Sequence, residues 1–302
     1  MTAPILRPID LPVGEITVHG AFDLAAAARR FAPSGLPEPG VLALAFPVEG
    51  VWSHAGAVIR QRSPGTVSVE VVAPVDVADR VVGQVSRMLS LDADPSGFPA
   101  VAARDSVVRR LVSRHPGVRP VLHPSPYEAA CWAVLVQGMR AAQATRFRER
   151  LVARHGRVVE HAGVRMLSFP APSVLAGLSD EPGLGQFRLA RLRAVAKAAG
   201  KGRLDAGELR ALPVARALAQ LCAIPGIGAF SAEQILQHGA GHPDLFPRTD
   251  TQLHQVLRAE YALPPDTPVP ELEPLADDWR PYRSWVAHLF RIDRQSRRRA
   301  EE

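Results

Sequence analysis

The stretch from Leu221 to Asp250, LCAIPGIGAFSAEQILQHGAGHPDLFPRTD, constrains this chain more than any other. A helical run ends at Ile224-Pro225-Gly226-Ile227-Gly228, and a second helical run starts at Ala229. Gly226 and Gly228 have no Cβ, so the connection can turn sharply and let a ligand approach the main chain. The second helix opens with N–H groups that lack partners within it and that face the turn, which suits a phosphate. A dinucleotide-binding loop is a poor template. Ser231 stands where a third glycine is needed, and residues 214–222 read as helix where a strand is needed. On the turn alone, a plain helix–turn–helix hairpin that binds nothing stays open. Asp250 follows Gly228 by 22 residues, directly after Thr249, and is the strongest candidate for chemistry.

A chain of 302 residues has room for two or three domains. No apolar run approaches membrane-spanning length and the N-terminus carries no basic-then-apolar leader, so a cytoplasmic protein without membrane contact is expected. Cys131 and Cys222 are too few for a four-thiolate iron–sulfur or zinc site, and both fall in apolar helical patterns that suit small core residues. The formal net charge of +6 is unevenly placed. Residues 1–100 hold 7 arginines and 10 acids, a balance of −3, and the rest of the chain makes up +9. The basic part contains the glycine turn, so a polyanion is a reasonable partner. Arginine-biased composition is the plainer alternative, because 34 of the 36 basic residues are arginine.

Residues 1–12 are Pro-rich and expected to be extended. Alternation at Ile16 and Val18, in 41–46, in 51–60 and at Val67, Val69 and Val71 predicts strands. Residues 22–31 and 75–91 read as helices. Beyond Asp94-Pro95-Ser96-Gly97 the period becomes helical, with helices over 101–115, 126–155, 187–199, 214–222, 229–238 and 250–261. A last helix opens at Trp279-Arg280-Pro281-Tyr282-Arg283, and 296–302 reads as a frayed charged tail. The expected class is α+β. A small N-terminal antiparallel sheet with helices, residues 1–97, precedes an all-α region, residues 98–302, formed of two lobes with a cleft between them.

Taken in order, the small sheet, the linker His115-Pro116-Gly117-Val118-Arg119, the helix around Trp132 to Gln137, the hairpin, Asp250 and Trp279-Arg280-Pro281-Tyr282-Arg283-Ser284 resemble the helix-hairpin-helix DNA glycosylase superfamily, its AlkA-type 3-methyladenine members above all. The resemblance spans nearly the whole chain. It implies a base-excision-repair enzyme acting as a monomer on damaged double-stranded DNA, with no catalytic cofactor. By that likeness Asp250 matches the catalytic aspartate. Gly226 and Gly228, with Thr249 beside the aspartate, match a grip on DNA phosphate. The carbonyls of Cys222, Ile224 and Ile227 match positions that hold a structural monovalent or divalent cation. The base pocket would draw on Gln137, Phe230, Gln234 and Arg291. Gln234 stands where a tyrosine is usual and Arg291 where a tryptophan is usual. Gly138 occupies the place of a bulky wedge, which leaves Met139 or Arg140 to fill the gap left by an extruded base, with core packing the alternative for Met139.

The chemistry such a site performs is heterolysis of an N-glycosidic bond through an oxocarbenium-like state, which one carboxylate can stabilise while orienting water. A strand-cleaving relative would use a lysine two residues after the second glycine of the turn; here that residue is Phe230, so simple hydrolysis leaving an abasic site is expected. Asp250 can also be read as a helix N-cap, and the two roles are compatible. Two alternatives stay open: a non-catalytic damaged-DNA-binding protein on the same scaffold, and a glycosylase shifted to neutral lesions such as hypoxanthine or ethenoadenine. His238, His242 and Asp244 invite a metal reading, but Gly239 and Gly241 break the helix that would align them, and a loop is the better reading.

Overall fold

The computed structural model describes residues 13–31 and 40–301, so the expectation for residues 1–12 lies outside it. Strand β1 (Val13–Thr17) is followed by helix α1 (Leu24–Phe31), strands β2 (Val41–Pro47), β3 (His54–Ser63) and β4 (Thr66–Val72), and helix α2 (Ala78–Met88). The strands pair antiparallel in the order β1-β4-β3-β2. Side chains alternate across a pleated strand, so Val67, Val69 and Val71 share one face. That face packs on Val81, Val85 and Met88 of α2 in a buried apolar layer. The helix expected over 75–91 is split into a 3-10 turn, Val75–Val77, and α2.

The rest of the chain is helical but for one hairpin. Helices α3 (Phe98–Arg104) and α4 (Ser106–Arg114) replace the single helix expected over 101–115. Asp105 makes the break: its carboxylate caps α4 through the Val107 and Val108 amides and accepts the Trp279 indole N–H at 2.9 Å. The long helix expected over 126–155 is likewise two, α5 (Pro126–Val136) and α6 (Ala141–His155), parted at Gly138 with φ +66°. Strands β5 (Arg157–His161) and β6 (Val164–Ser168) then form an antiparallel hairpin through Ala162-Gly163, both at positive φ. Val159 and Met166 of this hairpin pack on Val72 and the outer face of β2, so the N-terminal sheet is covered on both sides.

Helices α7 (Pro172–Gly177), α8 (Gln186–Gly200), α9 (Ala206–Ala211), α10 (Val214–Cys222) and α11 (Ala229–His238) join α5 and α6 around one apolar core. Helices α12 (Thr251–Glu260), α13 (Val269–Leu272) and α14 (Arg283–Glu301) join α3 and α4 around another. Where a frayed tail was expected, α14 stays helical through Glu301. No helix among the described residues is long and apolar enough to cross a membrane.

Candidate active site

The turn between α10 and α11 is built from its own main chain. The Ile224 N–H donates to Leu221 O at 3.0 Å, and the Ile227 N–H donates to Ile224 O at 3.0 Å. Ile224 and Ile227 are buried and anchor the turn in the core beneath it. Gly226 has φ +92°, and a Cβ there would lie 2.7 Å from the Arg191 side chain, so glycine is required twice over. Gly228 differs. It is exposed, caps α11 in extended conformation, and a Cβ there would meet nothing within 4 Å. The protein's own packing does not call for glycine at 228. Gln137, at the α5 break, ties this turn down. Its Nε2 donates to Gly226 O at 2.7 Å, and its Oε1 accepts from Arg191 Nη1 at 2.5 Å. Gln137 lines the cavity described next, but its amide is taken up by the hairpin and Arg191.

A cavity of about 410 Å³ lies between the two helical cores. Ala129, Trp132, Ala133 and Val136 present one face of α5 to it, at helical spacing. Phe230 and Gln234 of α11 line the facing wall, and Arg291 of α14 lines the third. Phe230 is 52% exposed, so it is no ordinary core residue and offers a flat surface at the rim.

Asp250 stands immediately behind Arg291. It caps α12, its Oδ1 accepting the Leu253 N–H at 3.0 Å. Its Oδ2 accepts from Arg291 Nε at 3.1 Å and Nη2 at 2.7 Å. Arg291 Nη1 also donates to Gln237 Oε1 at 2.9 Å and to His238 Nε2 at 2.8 Å. Arg291 therefore points inward, between the cavity and the carboxylate. Burial pushes the Asp250 carboxyl up; the Arg291 charge, the Leu253 N–H and the Arg291 hydrogen bonds outweigh it, and the net pKa lies below the ordinary aspartate value. Asp250 is thus ionised at neutral pH.

The approach to Asp250 is set by a residue the sequence reading passed over. Glu233 of α11 is buried and accepts from the Arg248 N–H at 3.1 Å, the Thr249 N–H at 3.0 Å and the Thr249 hydroxyl. One carboxylate so fixes the two residues that precede Asp250. The same contacts engage both donors of Thr249 within the protein. Met139 is half-buried against the core around α5, which weighs against it as a free wedge. Cys131 is buried as expected, whereas Cys222 is exposed, because the helix face that carries it looks away from the core. Asp244 is held by Arg283 Nε at 2.6 Å and Arg280 Nη1 at 3.0 Å, and His242 Nδ1 accepts the Asp244 N–H, so that cluster fastens the loop ahead of the site. Trp132 was missed as a cavity residue. Its place on one face with Ala129, Ala133 and Val136 was readable, but the same pattern fits core packing.

No family model matches this chain. It is 35% identical over 211 residues to a probable bifunctional transcriptional activator/DNA repair enzyme AlkA of Mycobacterium tuberculosis, covering 68% of this chain and 41% of that protein. It is 24% identical over 222 residues to the DNA-3-methyladenine glycosylase of Bacillus subtilis, covering 71% of this chain and 72% of the relative. The solved 3-methyladenine DNA-glycosylase of Archaeoglobus fulgidus superposes with a TM-score of 0.76 at 20% identity, covering 93% of this chain and 98% of that one. The chain spans about two fifths of the length of the mycobacterial relative, and more of the other two. In sequence it is similar to relatives named AlkA and DNA-3-methyladenine glycosylase, and its fold is that of the Archaeoglobus 3-methyladenine DNA-glycosylase.

Proposed function

We propose that this chain removes damaged bases from double-stranded DNA by hydrolysing the N-glycosidic bond, leaving an abasic site. The observation that carries the reading is Asp250: a carboxylate kept ionised behind the wall of a cavity that a phosphate-suited turn flanks. The target nucleotide leaves the duplex before its sugar can reach the carboxylate. Its base enters between α5, α11 and α14, with Phe230 and Trp132 as flat surfaces. As the C1′–N bond breaks, its electron pair leaves with the base and positive charge develops on the sugar. Asp250 stabilises that charge and orients or deprotonates the attacking water. The free face of Gly228 and the first-turn amides of α11 take a phosphate of the same strand.

Simple hydrolysis, without a strand-cleaving step, fits the residues at hand. Lys197 and Lys201 lie on and just beyond α8, exposed, and Phe230 occupies the position where the resemblance would put a lysine. A structural cation at the carbonyls of Cys222, Ile224 and Ile227 belongs to the same reading. The Ile224 oxygen already accepts one N–H and keeps a second lone pair, and neutral carbonyl oxygens suit a hard cation.

The relatives' names point to alkylated purines as the lesions. One feature favours a second substrate range. The Arg291 guanidinium lines the cavity itself, ahead of the Asp250 carboxylate that pairs with it, so a cationic alkylated base would meet the positive end of that ion pair first, whereas hypoxanthine or ethenoadenine carries no charge to be repelled. The test is base release from duplexes carrying 3-methyladenine, 7-methylguanine, hypoxanthine or ethenoadenine, wild type beside Asp250→Asn. Free base from wild type alone, with the strand intact until alkali treatment, is the expected result. Salt-sensitive binding with no release from any lesion would replace the enzyme by a DNA-binding protein.

A further inference from the structure

The face of α14 that carries Arg291 continues past the base cavity. Arg291, Arg294 and Arg298 follow one another at helical spacing and, with Asp250 and Gln252, line a second cleft of about 190 Å³. The residues of the hairpin turn do not line it. Arg291 and Gln295 border both cavities, so the cleft adjoins the place where a base would lie.

The charges on this helix sort themselves by face. Arg297 is paired with Glu260 at 2.8 Å and Asp293 at 2.7 Å, on the side turned toward α4 and α12. Arg291 is matched by Asp250. Arg294 Nη1 donates to Gln252 Oε1 at 2.8 Å, a neutral partner that fixes its direction and leaves its charge uncancelled. Arg298 is exposed and makes no ion pair among the described residues. Two unneutralised guanidinium groups therefore stand over a floor of Leu253, Val256 and Phe290, beside the carboxylate assigned to the chemistry. A solvated arginine face would need no ligand. Here, though, among the described residues the uncompensated pair lies on the cleft side, while Arg297 on the other side is neutralised. A guanidinium fork matches two oxygens of a phosphodiester.

We propose that Arg294 and Arg298 hold a DNA phosphate next to the extruded nucleotide, a second backbone grip separate from the hairpin. The inference rests on the function read above. With the base in the larger cavity and the sugar at Asp250, the adjoining phosphate falls in the smaller cleft. Hairpin and α14 then hold the strand at two points, one on either side of the carboxylate. Arg294 and Arg298 are positioning residues that never touch the bond being broken.

The test is the salt dependence of binding to a duplex containing a tetrahydrofuran abasic analogue, for wild type, Arg294→Gln/Arg298→Gln and Arg297→Gln. Each lost phosphate contact lowers the slope of log K against log salt by about 1, so the double variant should lose about 2. Arg297→Gln removes the same charge from the same helix on its neutralised face and should leave the slope unchanged. In base-release kinetics the double variant should raise KM and change kcat little at saturating DNA, provided chemistry limits turnover. A double variant with the wild-type slope overturns the proposal, as does an equal loss in Arg297→Gln, which would make net charge the cause. Wild type that binds but releases no base defeats the enzymatic reading alone, since the slope comparison still decides the second grip.

Discussion

The two walls that meet at the site are built in contrasting ways. The hairpin between α10 and α11 is a main-chain device: its shape comes from glycine, a pair of buried isoleucines and hydrogen bonds between neighbouring residues. The α14 wall is a side-chain device. Its character comes from one guanidinium that touches Asp250, Gln237 and His238 at once. A main-chain device tolerates little substitution but leaves ligand choice open. A side-chain device can be exchanged without rebuilding the main chain, at the cost of the ion pair it makes with Asp250.

Four predictions put that contrast under strain. The largest effect falls where the walls converge. Asp250→Asn should lower single-turnover base release by about 100-fold or more, while circular dichroism stays native; a milder loss would remove the carboxylate from the chemistry. Next come the two glycines. Gly226→Ala forces a non-glycine residue to φ +92° against Arg191 and should destabilise the protein by about 1–3 kcal/mol in chemical denaturation. Gly228→Ala should change stability by less than about 0.5 kcal/mol and yet weaken DNA binding. Equal behaviour of the two would end the division between internal and external need for glycine. On the other wall, Arg291→Trp should raise release of cationic alkylpurines relative to hypoxanthine, by about tenfold if the two states differ by about 1.4 kcal/mol.

The last is a pH effect. Arg291 holds the Asp250 pKa down, so the ionised form persists into acid and activity should fall only below the ordinary aspartate range. Arg291→Gln removes that pull and leaves burial, the largest influence, opposed only by the Leu253 N–H and His254; the acid limb should move toward neutral pH. The same coupling contributes stability above the unfolded pKa, lost as pH falls through the depressed folded value. An acid limb that stays in place would detach Arg291 from the ionisation of Asp250.

The hairpin, the capping position of Asp250 and the α+β class were legible because each is written locally: Pro-Gly spacing, a residue type that caps helices, a change of period from two to 3.6 residues. The breaks at Asp105 and Gly138 were not. Each interrupts a continuous apolar period, and the first, a local cap, is also held by partners far along the chain, Trp279 and Tyr261. The β5–β6 hairpin escaped because two five-residue strands amid helices give a weak alternation, though Ala162-Gly163 marks their turn. Glu233 escaped because a buried carboxylate on a helix looks like any surface glutamate until its three partners are seen. The direction of Arg291 depends on how α14 is rotated against α11 and α12, which no local pattern encodes.

The packing of β5–β6 on the outer face of β2 bears on how the molecule comes apart. A Cβ on Gly56 would sit 2.9 Å from both Val159 and Met166, so the small sheet and the segment joining α6 to α7 are in intimate contact. A chain divided after residue 97 would strip one apolar sheet face and leave the other half's hairpin without its support. Sheet and helices should therefore lose structure in a single cooperative melt, and neither half should persist as a soluble fragment.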